Sequence, residues 1–413
     1  MHKYKIVVIG AGPAGIMSAI RASELGQDVT IIEKNSILGK KLLLSGKGRC
    51  NLTNACDLKS FLSRFSKNGE FLRDAFKKFF NQDLVSFFQT RGLNLKTERQ
   101  LRVFPVTDSS SSITTVLMKE LEKNKVQVVY ETEVCDLVIR DKVIKGVKIV
   151  DGGIIAADKV ILATGGASYS FTGSTGDGIA LARKFGHEIV PLRPGLVPLK
   201  IRESFPKILE GLVLKNIKLK FICESKDIET DVGELLFTSS GISGPLVLTY
   251  SGRIVDWLNQ KKNVFVEIDL KPGLTSLQLE QRLLRDFKVN AKKIVKNSFK
   301  DILPIKLIDL FLKLLSIDPH KKVNQITQKE RNALLGLLKG WRLEISSSIS
   351  LEQGMVTRGG VSLKNINPRT MESRLIKGLY FCGEMIDVDA DTGGFNLQAA
   401  FSTGYLAGES AAA

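Results

Sequence analysis

The residues Gly10–Gly15, reading GAGPAG, carry the most specific chemistry in this sequence. They directly follow the apolar run Lys5–Ile9 and open a segment in which Ile16, Ala19, Ile20 and Ser23 recur at helical spacing. In such a turn Gly10 permits the tight bend, Gly12 lets backbone approach a pyrophosphate, and Gly15 allows close packing of helix on strand. Ala11 and Ala14 complete the phosphate-facing turn, and the helix N-terminus offers free N–H groups to the phosphates. A second apolar run, Asp28–Ile32, ends at Glu33, twenty-one positions beyond Gly12, followed by Lys34. A carboxylate there can accept hydrogen bonds from ribose hydroxyls. These residues predict a βαβ dinucleotide site.

Two later stretches favour FAD over NAD. In Val160–Gly166 a strand runs into Thr164 and Gly165, which would return the chain beside the dinucleotide. In Leu379–Gly404 a strand ends at Gly383-Glu384, Asp387 follows, and a glycine loop opens a helix at Asn396-Leu397-Gln398. Free N–H groups at that helix N-terminus would stabilise the negative charge of a reduced flavin.

The stretch Ser45–Asn54, SGKGRCNLTN, leaves the adenosine end through Lys40 and runs along the cofactor. Gly46 and Gly48 permit close backbone approach, Lys47 and Arg49 supply positive charge, and Asn51 adds a polar contact. Cys50 would lie near the isoalloxazine. It has no partner at CxxxxC spacing, because Cys56 is six residues on, so a dithiol mechanism is not expected. Two readings stand for Cys50, a proton-donating thiol and a structural residue; in the first, Lys47 and Arg49 would lower its pKa. Arg358, in a glycine-flanked loop, contacts substrate or makes a structural ion pair. Gly173–Gly178 lacks the strand and acid of a phosphate site and reads as a flavin- or substrate-facing loop. Val134 completes the expected cofactor-binding set. No second dinucleotide domain is found, so NADPH or NADH, as transient reductant, would visit the flavin directly.

These motifs together resemble the HI0933-like family of bacterial FAD-dependent oxidoreductases, relatives of the fumarate reductase and glutathione reductase flavin domains. The resemblance rests on GAGPAG, SGKGRCNLTN, RVFPVT (Arg102–Thr107), ATGGASYSFTGSTGDG (Ala163–Gly178), GELLFTSSGISGP (Gly233–Pro245), TRGGV (Thr357–Val361) and GGFNLQAA, covering nearly the whole chain. It implies an α/β fold: a split Rossmann-like FAD-binding domain with an inserted β-barrel-like domain and an inserted helical domain. It also implies reduction of an activated C=C bond, in bile-acid-type enones or in uridine of large-subunit ribosomal RNA. Reduced FAD would pass hydride from N5 to uracil C6, and an acid, Cys50 among the candidates, would protonate C5. A flavin-bearing RNA-binding protein without turnover is a third reading.

The elements that must position these residues follow from periodicity. Helical spacing covers 58–93, Ser112–Asn124, Gly176–Gly186 and much of 274–339, while strand-like segments fill 126–150 and 195–270 and return at 341–349 and 378–382. The expected partition is a FAD-binding domain from 1–194 and 350–413, a β-rich insert from 195–272 and 340–349, and a basic helical insert at 273–339.

No apolar run reaches membrane-spanning length. His2-Lys3-Tyr4-Lys5 leads straight into a strand, which predicts no signal peptide. Five scattered cysteines without a CxxC point to a reducing cytoplasm, and three unclustered histidines argue against a metal site. The formal charge is +17, which either reflects lysine-rich composition or marks a polyanionic partner. From Lys271 to Lys339, fifteen lysines and arginines stand against six acids, a surplus of +9. That concentration favours ribosomal RNA, gripped through its backbone, over a steroid-like substrate.

Overall fold

The computed structural model describes residues 3–413; Met1 and His2, the first of which opens the chain and the second of which was read as leading into the first strand, lie outside the described residues. The chain forms two compact units, Met1–Gly195 with Ser350–Ala413, and Leu196–Ile349.

In the first unit five parallel strands lie in the order Leu379–Phe381, Lys159–Leu162, Lys5–Ile9, Asp28–Ile32 and Gln127–Val129. Their apolar runs reflect burial on both faces, as parallel sheets require; Val8, Ile31, Ile161 and Phe381 are completely buried. The two segments of the first unit close on each other through glycine. Pro13–Glu24 packs against the last helix, Phe395–Ala412, and a Cβ at Gly404 or Gly408 would stand 2.2 Å from the carbonyl oxygens of Ala14 and Ser18.

The stretch read as helical after residue 58 is three short helices, Leu58–Leu62, Arg73–Lys78 and Asn81–Gln89. They build an aromatic cluster around the fully buried Phe61, whose ring centroid lies 4.7 Å from Phe395 and 5.3 Å from Phe76. The cluster thereby braces the N-terminus of the last helix. An antiparallel ribbon pairs Ile189–Gly195 with Val356–Val361.

His187 supports the sheet from behind. Its Nδ1 faces the Ala182 carbonyl at 3.0 Å and its Nε2 faces Ser373 Oγ at 2.8 Å. Burial holds its pKa below the ordinary histidine value, against the opposing effect of the Ala182 carbonyl. The unfolded chain takes up a proton near pH ~6.5 and the folded chain resists it, so His187 costs stability as pH falls through that value. Urea midpoints should therefore drop more for wild type than for His187→Gln between about pH 7.5 and about pH 5.5.

In the second unit Val213–Cys223, Gly233–Thr238, Gly241–Ser243, Leu199–Ile201, Trp341–Ser348 and Val264–Asp269 pair in that order, and the last returns to the first. The result is a closed antiparallel barrel of the expected kind. The reading of 195–270 as strands and turns missed one element. Pro245–Asn259 is a helix of 15 residues, with proline in its first turn and Leu246, Val247, Ser251, Ile254 and Val255 on its buried face. The helices between Ser276 and Lys339 share one apolar core with the barrel: Phe311 meets Trp341 edge-on at 5.1 Å, and Phe205 and Phe237 flank the same indole.

Among the described residues no helix is long and apolar enough to cross a membrane, and no group of three or more His, Cys, Asp or Glu could hold a metal ion.

Candidate flavin site

The turn after the first strand has the geometry that its glycines suggest. Gly10 has a φ of 102°, and a Cβ at Gly15 would lie 1.9 Å from the Gly10 carbonyl oxygen. At Gly12 a Cβ would meet no protein atom within 4 Å, so the first turn of the helix stays open to an approaching group. Glu33 ties the turn to the second strand. Its Oε2 accepts from the Ala11 N–H at 2.7 Å, and its Oε1 accepts from the backbone and side-chain nitrogens of Asn35. A lone pair remains on Oε2 for a ribose hydroxyl.

The loop Gly165–Gly176 is fastened to the end of that strand. Lys34 Nζ donates to Thr175 Oγ1 and Asp177 Oδ2, each at 2.6 Å, and Asn35 Nδ2 donates to the Thr172 carbonyl at 3.1 Å. Burial pushes the Asp177 carboxyl up, but the Lys34 ammonium and the Thr175 hydroxyl outweigh it and leave the group below its ordinary value. Lys40 Nζ reaches Asn35 Oδ1 at 3.3 Å. Val134 is buried at the start of its strand, two residues after Thr132, whose N–H donates to the Glu33 carbonyl at 3.1 Å.

Sequence reasoning missed a polar network that joins four distant segments. Lys41 Nζ donates to Glu384 Oε2 at 2.6 Å and to Ser168 Oγ at 2.7 Å. Glu384 Oε1 accepts from the Thr357 N–H at 2.7 Å and from Ser168 Oγ at 3.0 Å, while Thr357 Oγ1 accepts from the Ala167 N–H at 2.8 Å. Next to it Gly165 has a φ of 74°, and Gly383, with the same φ, receives Ala14 so closely that a Cβ would come within 2.8 Å.

The last helix begins at Gly394, whose φ of 98° and packing on Thr53 exclude a side chain. The N–H groups of its first turn have no intrahelical acceptor. Asn396 pins the preceding loop, accepting from the Ala390 N–H and donating to the Ala390 and Asp391 carbonyls. The Gln398 side chain is fully buried, bonded to Thr53 Oγ1 at 2.7 Å and Ser402 Oγ at 2.9 Å, and its N–H donates to the Gly394 carbonyl at 3.1 Å. Leu397 is half-buried between them. Asn51, with its amide oriented to suit both neighbours, accepts from the Gly394 N–H at 3.2 Å.

Three expectations need correction. Cys50 is completely buried, and burial pushes its thiol up to about 12, against a hydrogen bond with Ser45. The positive charges at 47 and 49 do not lower it: Lys47 is exposed, and Arg49 is bound to Glu98 and Asp108 with its guanidinium 4.3 Å from the Phe104 ring centroid. Arg49 is thus committed to an ion-pair cluster rather than held out as a free charge, with Gly48 exposed beside it. Finally, Arg358 stands in a strand, opposite Arg193, and not in a loop; only 8% exposed, it pairs through Nε with Asp389 Oδ2 at 3.5 Å. Arg193, Arg358, Asp387 and Asp389 line one cavity of about 100 Å³, together with Ser66 and Asn68. Burial raises the Asp387 carboxyl, and Asn68 Nδ2, 3.0 Å from its Oδ2, is the main opposing influence.

The residues present fit a dinucleotide cofactor. The open space at Gly12 is what a pyrophosphate requires, whereas the unpartnered hydroxyl oxygen of Thr164 packs against Gly178.

Comparison with known proteins gives the family and the fold. Residues 4–410 match the family model described as HI0933-like protein Rossmann domain. The chain is 33% identical over 413 residues to a 3-dehydro-bile acid delta(4,6)-reductase of Clostridium scindens, covering 99% of each. It is 31% identical over 407 residues to a ribosomal RNA dihydrouridine synthase of Escherichia coli, covering 98% of this chain and 97% of the relative. Among solved structures, a 3-ketosteroid delta1-dehydrogenase from Sterolibacterium denitrificans shares the fold, with a TM-score of 0.55 at 12% identity and full coverage of both chains. An E. coli quinol fumarate reductase does so with a TM-score of 0.52 at 17% identity, covering 100% of this chain and 70% of the other. The chain belongs to the HI0933-like family and is an FAD-dependent oxidoreductase acting on C=C bonds.

Proposed function

We propose that the protein reduces uridine to dihydrouridine in large-subunit ribosomal RNA. The observation that carries this reading is the state of the basic residues between 271 and 339. Lys288, Lys292, Lys293 and Lys322 are exposed and none is in an ion pair, and the Val323 N–H donates to the Lys293 carbonyl at 3.0 Å, which sets two lysine-bearing segments side by side. Such a surface suits a phosphate backbone and has no purpose toward a steroid.

FAD, when bound, supplies the hydride to the activated carbon. In this reading the N–H groups of Gly12, Ala14 and Gly15 would hold its pyrophosphate, and Glu33 would take the adenosine ribose. The first-turn N–H groups at Phe395–Leu397 would lie toward the flavin ring, where they would favour negative charge. Glu384, fixed by Lys41, Ser168 and Thr357, keeps the two glycine loops in register, and Arg358 and Asp387 form a charged cavity within the same unit. NADPH or NADH, as transient reductant, would visit the flavin directly, with no second dinucleotide fold among the described residues to hold it. The five unpaired cysteines suit a cytoplasmic setting.

Cys50 is best supported as a packing residue, because a fully buried thiol that stays protonated is poorly placed to exchange protons with a substrate. Cys50→Ala should lower thermal stability by about 1–2 kcal/mol. Its oxidative half-reaction should stay within a few-fold of wild type, whereas loss of a general acid would slow it about 10² to 10⁴.

The bile-acid reductase relative supports a second reading, reduction of a small-molecule enone, by the same hydride chemistry. Mapping dihydrouridine in ribosomal RNA of a deletion strain decides between them. A position that reverts to uridine supports the RNA reading, and unchanged RNA supports the enone.

A further inference from the structure

The turn Arg99–Arg102 is strained, exposed and rigidly held. Gln100 and Leu101 are consecutive residues with φ of 60° and 58° at the tip of the hairpin that joins Leu95–Thr97 to Arg102–Pro105, a left-handed pair that hairpins normally fill with glycine or asparagine. Leu101 is 49% exposed, so no core packing explains it. What over-determines the conformation is hydrogen bonding. Asn54 Nδ2 donates to the Gln100 carbonyl at 3.0 Å, and the Ala55 N–H donates to the Leu101 carbonyl at 2.8 Å. That same Asn54 nitrogen donates to the Gly393 carbonyl at 3.2 Å, in the glycine loop that opens the last helix. One amide thus bridges the strained turn and the loop at the candidate flavin site. Strain of this kind, fixed from several sides next to a reaction site, is characteristic of functional segments.

The flanks are cationic. Arg99 is exposed and in no ion pair, and Arg102 Nε is turned back onto the Arg99 carbonyl at 3.1 Å. An apolar side chain, held out rigidly between two arginines, matches the wedges by which proteins unstack nucleic-acid bases while cations grip the phosphates. A uridine must leave its stack before its C5–C6 bond can reach any flavin, and the gap it leaves is costly unless filled.

We propose that Leu101 is the wedge that fills this gap in the RNA, with Arg99 and Arg102 on the adjoining phosphates. The proposal rests on the ribosomal-RNA reading above. Leu101→Gly tests it without threatening the fold, since glycine accepts a φ of 58° freely. With flavin-loaded full-length enzyme, the rate of dihydrouridine formation in unmodified large-subunit ribosomal RNA transcript should fall about tenfold or more. Affinity for poly(U), which has little stacking to break, should stay within about twofold, and Leu101→Phe should restore most of the rate. An unchanged transcript rate in Leu101→Gly overturns the wedge, as does a parallel loss of poly(U) affinity, which would make Leu101 an ordinary contact. A wild-type enzyme inert toward the transcript removes the RNA reading, and the wedge with it; an active wild type beside an unaffected variant removes the wedge alone.

Discussion

Gly12→Asp should purify as a folded, colourless protein whose affinity for FAD has fallen about 100-fold or more. The glycine is the N-cap of Pro13–Glu24, in extended conformation, and a Cβ there touches no protein atom within 4 Å. Aspartate is among the favoured N-cap residues, so the substitution should leave the helix as stable as before or more so. The same carboxylate, however, occupies the opening through which a pyrophosphate reaches the N–H groups, and it repels the phosphates. Gly15→Ala makes the contrast. Its Cβ would lie 1.9 Å from the Gly10 carbonyl oxygen, so backbone must move and both flavin content and thermal stability should drop. Absorbance near 450 nm (roughly the flavin band) with a parallel thermal melt separates the two outcomes. A yellow, fully loaded Gly12→Asp protein would place the pyrophosphate elsewhere.

The second large effect concerns RNA. Reversing Lys292, Lys293 and Lys322 to glutamate should weaken binding to ribosomal RNA by about 100-fold at moderate salt and flatten the dependence of log affinity on log salt by about 2. Flavin content should not change, because these side chains are exposed and make no ion pair among the described residues. Lys296 belongs outside this set despite its place in the sequence, since it is bound to Asp309 at 2.7 Å. RNA affinity indifferent to the triple reversal would leave the charge surplus as composition alone and favour the enone.

The parts of this molecule that were legible in the sequence are those written in consecutive residues. GAGPAG between an apolar strand and a helical period, with Glu33 at the end of the next strand, has one structural solution, and the pairing of Lys5–Ile9 with Asp28–Ile32 follows from it. The helix Pro245–Asn259 was hidden by its composition: Val247, Thr249, Tyr250, Ile254 and Val255 favour strands. The usable signal was Gly244-Pro245 at its start and the spacing of Leu246, Tyr250 and Ile254.

The Lys41–Glu384–Ser168–Thr357 network could not be read in advance, because its partners lie 127 to 343 positions from Lys41 and meet only when the sheet is assembled. The fate of Arg49 was equally remote. A cation next to a glycine-rich loop suggests a phosphate, yet Glu98 and Asp108, in the loops before and after the strand Arg102–Pro105, claim it. Cys50 shows the same limit differently. Its neighbours in sequence suggested an acidic thiol, but burial among residues distant in sequence outweighs adjacent charge.

The central claim, that the flavin of this protein reduces a C=C bond of ribosomal RNA, is tested most directly by the oxidative half-reaction. Enzyme reduced under anaerobic conditions should be mixed rapidly with unmodified large-subunit ribosomal RNA transcript, and in parallel with a steroid enone. The transcript should reoxidise the flavin, with dihydrouridine appearing in step by mass spectrometry, while the enone leaves the flavin reduced. Rapid reoxidation by the enone together with an inert transcript would contradict it.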